Sequence, residues 1–329
     1  MLLYQLSYRP KAGGTRTPDR HMKGENRTTP ARNDADRSAR VSITAGEFRA
    51  VTIRGERARR GGKTRSVNVF VNPHSTPEHR RVAEQHEILR VLVGSSVHGT
   101  AIDEQNDRDE MGICIEPAEY VCGLRTFEQY VHRTQPEGVR SGPGDVDLTI
   151  YGLRKWMRLA TQGNPTVLLP LFVADEDIIV RTELGDELRS LAPAILSRQA
   201  GERFKGYLQA QRDRLLGVRG GAHTNRPELV EVYGFDTKYA MHMVRLGVQG
   251  VELLETGRIT LPMPEPWRAW LRDLRVGGHT RAEALEAADE LEARLDSLLS
   301  TSLLPPRPDL AAVNAWLVSA HQRSWAGGA

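Results

Sequence analysis

Two short apolar strands of this 329-residue chain are each entered through a pair of aspartates. Asp107-Arg108-Asp109 leads into Glu110-Met111-Gly112-Ile113-Cys114-Ile115, and Asp145-Val146-Asp147 leads into Leu148-Thr149-Ile150. Side chains two apart on an extended segment share a face, so each pair projects both carboxylates to one side. Carboxylates held side by side repel unless cations neutralise them, and hard oxygen donors suit Mg2+. An isolated Asp-x-Asp is as readily an ordinary solvated turn.

A third feature precedes them. Val91-Leu92-Val93 reads as a strand running into Gly94-Ser95, which in turn opens a helix. Glycine lets backbone approach an anion, and a helix N-terminus supplies N–H donors. Alone, Gly-Ser is a common turn. Together, a phosphate-cradling Gly-Ser, a paired-carboxylate strand and a third acidic strand about 40 residues on are what phosphoryl or nucleotidyl transfer needs.

Composition bounds the rest. The chain holds 45 Lys and Arg against 42 Asp and Glu, but residues 1–75 carry 16 basic and 6 acidic residues and the remainder 29 and 36. A basic leader therefore precedes an acidic body. The first 40 residues have almost no large apolar side chains and are expected to be disordered. A strand pair is expected within 41–53 and a strand at 66–72. The cluster Arg57, Arg59, Arg60, Lys63 and Arg65 reads either as a phosphate-binding arm or as a solvated linker, and a start codon placed too far upstream would leave the same leader. Two cysteines cannot build a disulfide scaffold or a four-ligand zinc site, and Cys114 and Cys122 are expected as small buried apolar groups. No apolar run reaches the ~18 residues of a membrane span, and the opening Met1–Leu6 is too short for a secretory core, so a cytoplasmic protein without a membrane partner is expected.

From residue 76 the texture is that of an α+β unit with a short mixed sheet, followed by an α-helical domain. Thr76-Pro77 opens a helix expected to run to about Arg90, with Val82, Ile88 and Leu89 as its apolar members. A helix follows at 151–163, and residues 183 to about 300 read helical, with breaks at 219–221, 257–266 and 277–278. The expected divisions are a leader at 1–75, a catalytic unit at 76–180, a helical substrate-binding unit at 181–304 and a tail at 305–329.

The segment GSSVHGTAIDEQNDRDEMGICI resembles the Gly-Ser…Asp-x-Asp signature of the DNA polymerase beta-type nucleotidyltransferase superfamily, in the form associated with its bacterial and phage RNA-repair branch. Agreement extends through DVDLTIYGLRKWMRLATQGNPTVL and YGFDTKYAMHMVRLGVQGVELLETGRITLP to LPPRPD, over about residues 80–310. The resemblance implies an α/β nucleotidyltransferase palm. It implies that Gly94 and Ser95 hold the β- and γ-phosphates and that Asp107 and Asp109 bind two Mg2+ ions, with Mn2+ as an alternative. Asp147 is implied as the third, catalytic carboxylate, helping to deprotonate the attacking hydroxyl, with Asp145 on the same strand as runner-up. Two departures stand out: Asn106 replaces the usual Ser, and Leu169 stands where the family pattern carries an acid.

The helical half adds a candidate clamp. Asp236 is a natural N-cap, and behind it Lys238, His242, Arg245 and Gln249 fall at i, i+4, i+7 and i+11, opposite an apolar stripe of Met241, Val244, Val248 and Val251. Such a stripe reads as a solvated face or, with the family resemblance, as a nucleotide- or substrate-binding row. Lys205, Gln209 and Arg212 form a weaker row of the same kind. His98, Trp156, Trp267, Trp270 and Trp316 are expected to be structural, with a nucleotide contact as the alternative for His98, and Arg133 and Arg140 to be exposed loop arginines, with phosphate contact as the alternative. The expected activity is Mg2+-dependent transfer of an NMP from an NTP to an acceptor hydroxyl with release of pyrophosphate, the acceptor being an RNA end of tRNA type. Protein or small-molecule nucleotidylation is the alternative, and a non-catalytic nucleic-acid-binding protein the rival class.

Overall fold

The computed structural model describes residues 49–51, 69–102, 107–136, 139–218 and 226–327. Strand β1 (Arg49–Val51) pairs antiparallel with β2 (Val69–Val71) in a sheet of their own. The rest of the expected 41–53 strand pair, the arginine cluster at 57–65, Asn106 and the 219–221 break lie outside the described residues.

Helix α1 (Pro77–Gln85) starts as its sequence directs. Thr76 Oγ1 accepts from His79 N at 3.2 Å, and Pro77 fills the first turn, where no N–H is required. The helix stops at His86 and does not reach Arg90. Ile88 and Leu89 belong instead to β3 (Glu87–Val93), a strand buried between two neighbours. Both residues fit a helical stripe, but Ile88, Leu89, Val91 and Val93 are all buried in the core, and a central strand covered on two faces takes such an apolar run.

Next come β4 (Arg108–Cys114), the short α2 (Ala118–Val121), β5 (Gln129–Arg133), β6 (Val146–Gly152) and α3 (Leu153–Thr161). After two single 3-10 turns, β7 (Ile178–Arg181) closes the sheet. The five-stranded order is β5-β6-β4-β3-β7, with β4 and β6 parallel and every other pairing antiparallel. One face packs under α1 through Val82, Tyr120, Phe127, Tyr130, Leu148 and Ile150. The other face meets the helical half.

That half comprises α4 (Glu183–Ser190), α5 (Ala192–Ile195), α6 (Arg198–Leu215), α7 (Pro227–Tyr233), α8 (Thr237–Thr256), α9 (Trp267–Arg275), α10 (Arg281–Thr301) and α11 (Leu310–Gly327). Asp236 caps α8 by accepting from Lys238 N and Tyr239 N, both at 3.0 Å, and Gly257 ends it in the left-handed conformation. Helix α8 is gripped between α6 and α10, and a Cβ at Gly250 would lie 2.7 Å from Phe204, so glycine there sets the close approach. One apolar core runs unbroken from Leu89 and Met111 of the sheet to Leu253 and Leu295 of the bundle, and removing a buried ring such as Phe204 would cost ~3–5 kcal/mol.

Three expectations change here. Lys205, Gln209 and Arg212 form no ligand row: Lys205 Nζ binds Asp296 at 2.5 Å, and Gln209 and Arg212 both bind Glu292, tying α6 to α10. Residues 305–329 contain α11 in place of a tail. Trp316 Nε1 and Arg323 hold Glu187, while Trp325 Nε1 donates to the Glu116 carbonyl at 2.9 Å. Cys114 is buried as expected, but Cys122 is exposed. Among the described residues, no helix is long and apolar enough to cross a membrane.

Candidate active site

The register of the sheet assembles the acidic residues. Asp109 is the direct parallel partner of Asp147, and Val93, the last residue of β3, is the antiparallel partner of Asp109. On the outer side, Arg133 at the end of β5 is the partner of Asp147. Directly opposed residues share a face, so Arg133, Asp147, Asp109 and Val93 form one row across four strands, with Asp107 two residues behind Asp109 on the same side. One carboxylate oxygen from each of Asp107, Asp109 and Asp147 lies within 4.8 Å of the others.

The two paired carboxylates have opposite surroundings. Asp147 Oδ1 accepts from Arg133 Nε at 2.7 Å and Gln135 Nε2 at 3.0 Å, and Oδ2 accepts from Ser141 Oγ. Burial works against the charged form of Asp147, but those bonds from Ser141, Arg133 and Gln135 outweigh it and hold the carboxyl below its ordinary range. Asp109 is buried, and its Oδ1 has no hydrogen-bond partner. Burial first, then the charges of Asp107 and Asp147, push its pKa up to about 7. A buried carboxylate oxygen without a donor, beside two further carboxylates, fits a divalent cation, which prefers oxygen ligands and relieves this repulsion.

Gly94 is required by the same geometry. Its φ is +85°, and a Cβ there would lie 2.2 Å from Asp109 Oδ2. Beyond it the chain does not enter the expected helix. Residues 94–100 form successive turns closed by His98 N to Gly94 O, Gly99 N to Ser96 O and Thr100 N to Ser95 O. The loop therefore brings backbone close to Asp109 without a helix dipole behind it.

Helix α8 covers the acidic row, and its polar stripe faces inward. His242 and Gln249 are buried, and Lys238 and Arg245 are half-buried. Lys238 is lowered to about 8 by burial and by the charges of Arg226 and Arg275, while Asp107 and Asp109 pull it the other way. Burial brings Arg245 down to about 10 against the pull of Asp109, and its Nε has no hydrogen-bond partner. Burial also holds His98 and His242 well below the ordinary histidine range, so both rings are neutral near pH 7. Gln249 Nε2 donates to His98 Nδ1 at 3.2 Å, at the floor of a cavity of about 40 Å³ that Gly94, Asp109, Arg245, Thr166 and Leu169 also line. Leu169 makes an apolar wall there.

Asp145 is not a member of the acidic cluster. Its carboxylate accepts from Thr134 Oγ1 and Gly142 N, both at 2.8 Å, and closes the turn before β6. Ser95 is half-buried within the Gly94–Thr100 turns. Arg140 leaves the site and pairs with Glu228 at 2.5 Å. Sequence reasoning missed Gln135 and Ser141 entirely and took Arg133 for a loop residue. The pairing of Gln129–Arg133 with β6, which the sequence does not reveal, sets the arginine opposite Asp147. It also missed Arg226 and Arg275, which converge on the first turn of α8: Arg226 Nη1 lies 3.1 Å from Asp236 Oδ2, and Arg275 Nη1 lies 3.4 Å from Thr237 Oγ1.

No curated protein matches the chain. A solved structure, that of a nucleotidyltransferase-like protein from Exiguobacterium sibiricum 255-15, is similar at 12% identity over 68% of this chain and 72% of that one, with a TM-score of 0.26, too loose a likeness to carry an argument. Residues 75–319 match the family described as "RNA repair pathway DNA polymerase beta family", a span that holds every candidate site residue above. The chain belongs to that family and is a nucleotidyltransferase of the DNA polymerase beta type.

Proposed function

We propose that the protein transfers a nucleoside monophosphate from an NTP to the hydroxyl of an RNA end, of tRNA type, with Mg2+ held by Asp107, Asp109 and Asp147 and pyrophosphate released. The observation that carries this reading is the pairing of a three-carboxylate cluster, in which Asp109 Oδ1 lacks a donor, with the inward-facing cations Lys238 and Arg245. Two divalent ions, when bound, supply Lewis-acid stabilisation of the charge that develops on the transferred phosphoryl group and on the oxygens entering and leaving it.

The chain's own residues supply the rest. Gly94 lets the backbone of the turn approach the phosphates where any side chain would strike Asp109. Lys238 and Arg245 face the same carboxylates from α8 and balance the negative charge of a polyphosphate, in a setting where burial strengthens each contact. His98 and His242, both neutral, offer hydrogen bonds without adding charge. Asp147 accepts from three donors and is a weak base for that reason, so its role is to fix a cation beside the attacking hydroxyl more than to take up its proton.

The test is incubation with each α-labelled NTP, Mg2+ and total RNA, protein or small-molecule acceptors. Label on RNA that disappears in Asp107→Ala/Asp109→Ala is the expected result. Label on protein or on a small molecule would replace the RNA acceptor in this reading. Transfer to no acceptor, with RNA binding retained, would leave a nucleic-acid-binding protein instead.

A further inference from the structure

Arg133 stands at the outer end of the acidic row. It is placed there by strand register, as the antiparallel partner of Asp147. Its Nε donates to Asp147 Oδ1 at 2.7 Å, while Nη2 reaches the Val139 carbonyl at 3.2 Å and Ser141 Oγ at 3.4 Å. The guanidinium is thus fixed at three points, and Asp147, whose carboxylate it binds, is 6% exposed. Gln135 and Ser141, both uncharged, hold the two oxygens of the same carboxylate. Of these three donors to Asp147, Arg133 is the one that brings charge.

We propose that Arg133 is a positioning residue that doubles as a built-in counter-cation: it holds Asp147 in place and restrains the affinity of the acidic centre for a free divalent ion. Three carboxylates facing one another draw a divalent cation strongly. A guanidinium bonded to one of them cancels part of that attraction, because a charge a few ångströms away acts through a poorly screened interior. Removing the charge while Gln135 and Ser141 remain leaves the carboxylate oriented and the attraction undiminished. Loss of this arginine should therefore tighten divalent binding. A residue that served only the architecture of the site would do the reverse.

This inference rests on the reading of Asp107, Asp109 and Asp147 as cation ligands, and one experiment separates the two. Mn2+ binding to the full chain without nucleotide is measured by electron paramagnetic resonance and calorimetry for wild type, Arg133→Gln, Arg133→Lys and Gln135→Lys, with thermal melts as a check on folding. Arg133→Gln is expected to bind Mn2+ roughly ten-fold more tightly or better, Arg133→Lys to stay near wild type, and Gln135→Lys, which adds a charge beside Asp147, to bind roughly ten-fold more weakly. The Gln135→Lys arm keeps the test alive should Arg133→Gln not fold. Unchanged or weaker binding in Arg133→Gln, or unchanged binding in Gln135→Lys, overturns the inference alone. A wild-type protein that binds no Mn2+ overturns the ligand reading beneath it.

Discussion

Replacing Asp109 by Asn should make the cation-free protein more stable while removing its activity. The carboxyl is 7% exposed, its Oδ1 has no donor, and its pKa stands at about 7 against an ordinary 3.8. Below pH 4 the folded and unfolded chains both hold the proton, and wild type and Asp109→Asn differ little. Between pH 4 and pH 7 the unfolded chain releases the proton while the folded chain keeps it, so wild-type stability falls as pH rises. The full penalty is present above about pH 7, and a shift of this size corresponds to ~4 kcal/mol as an upper figure. Asn carries no charge and escapes it. At ~1.5 °C per kcal/mol for a chain of this size, the melting temperature of Asp109→Asn should exceed that of wild type by roughly 6 °C at pH 8 in EDTA, with the gap closing toward pH 4.5. Saturating Mg2+ should raise wild type alone, by ~2.7 kcal/mol at a hundred times its Kd. Circular-dichroism melts of both proteins at the two pH values provide the measurement. A gap that stays constant between pH 4.5 and pH 8 would refute the claim that Asp109 is a buried, donor-poor carboxylate.

Other consequences follow from neighbouring contacts. Lys238, brought down to about 8, should bind a nucleotide's phosphates well below that pH and progressively less well above it; Lys238→Arg should flatten this dependence in a fluorescent-nucleotide titration from pH 6.5 to 9.5. Gly94→Ala places a Cβ 2.2 Å from Asp109 Oδ2 at a φ of +85°, so it should cost ~1–2 kcal/mol of stability and also weaken Mn2+ binding, whereas an ordinary turn glycine would show only the first effect. Glu292→Ala removes the α10 partner of Gln209 and one of the two α10 acids that bind Arg212, Asp289 remaining, and should lower stability by ~1 kcal/mol with nucleotide affinity unchanged; a loss of affinity would restore the α6 row as a ligand-binding feature.

What was legible in the sequence is what depends on neighbours along the chain. The Asp107/Asp109 pair before β4, the Asp236 cap and the Gly257 stop of α8 are local patterns with the geometry their spacing dictates, whereas Asp145 leaves its pair with Asp147 to close the turn before β6. The inward stripe of α8 could be drawn from periodicity, but its direction depended on what lay opposite. Lys205, Gln209 and Arg212 carry a similar pattern and turn instead to Asp296 and Glu292, because α10 brings acids to that side. Periodicity alone does not distinguish a row awaiting a ligand from one already paired. The end of α1 was misjudged because Ile88 and Leu89 fit either period, and a central strand claimed them. Gln135, Ser141 and the true place of Arg133 were out of reach, since their meeting with Asp147 is created by the β5–β6 register, and the mixed spacing of that loop gives no sign of it.

The candidate site is assembled from choices that each cost stability: a bare buried Asp109, a glycine at positive φ against it, two buried neutral histidines, and Arg226 and Arg275 pressed on the first turn of α8 beside the half-buried Lys238. Such choices persist only where the surroundings over-determine them. The surroundings here are explicit. A single core joins sheet to bundle beneath the site, Glu292 and Asp296 bind α6 to α10 behind α8, and α11 seals the far end of the sheet, where His321 Nε2 meets the buried Glu116 at 3.2 Å. Glu116 also accepts from Arg154 N at the start of α3, directly after β6, so α11 clamps the end of the strand whose other end carries Asp147. On this reasoning the carboxylate row keeps its register because β4 and β6 are held at both ends: by Arg133, Gln135 and Ser141 at the acidic end, and by Glu116 and the C-terminal helix at the other.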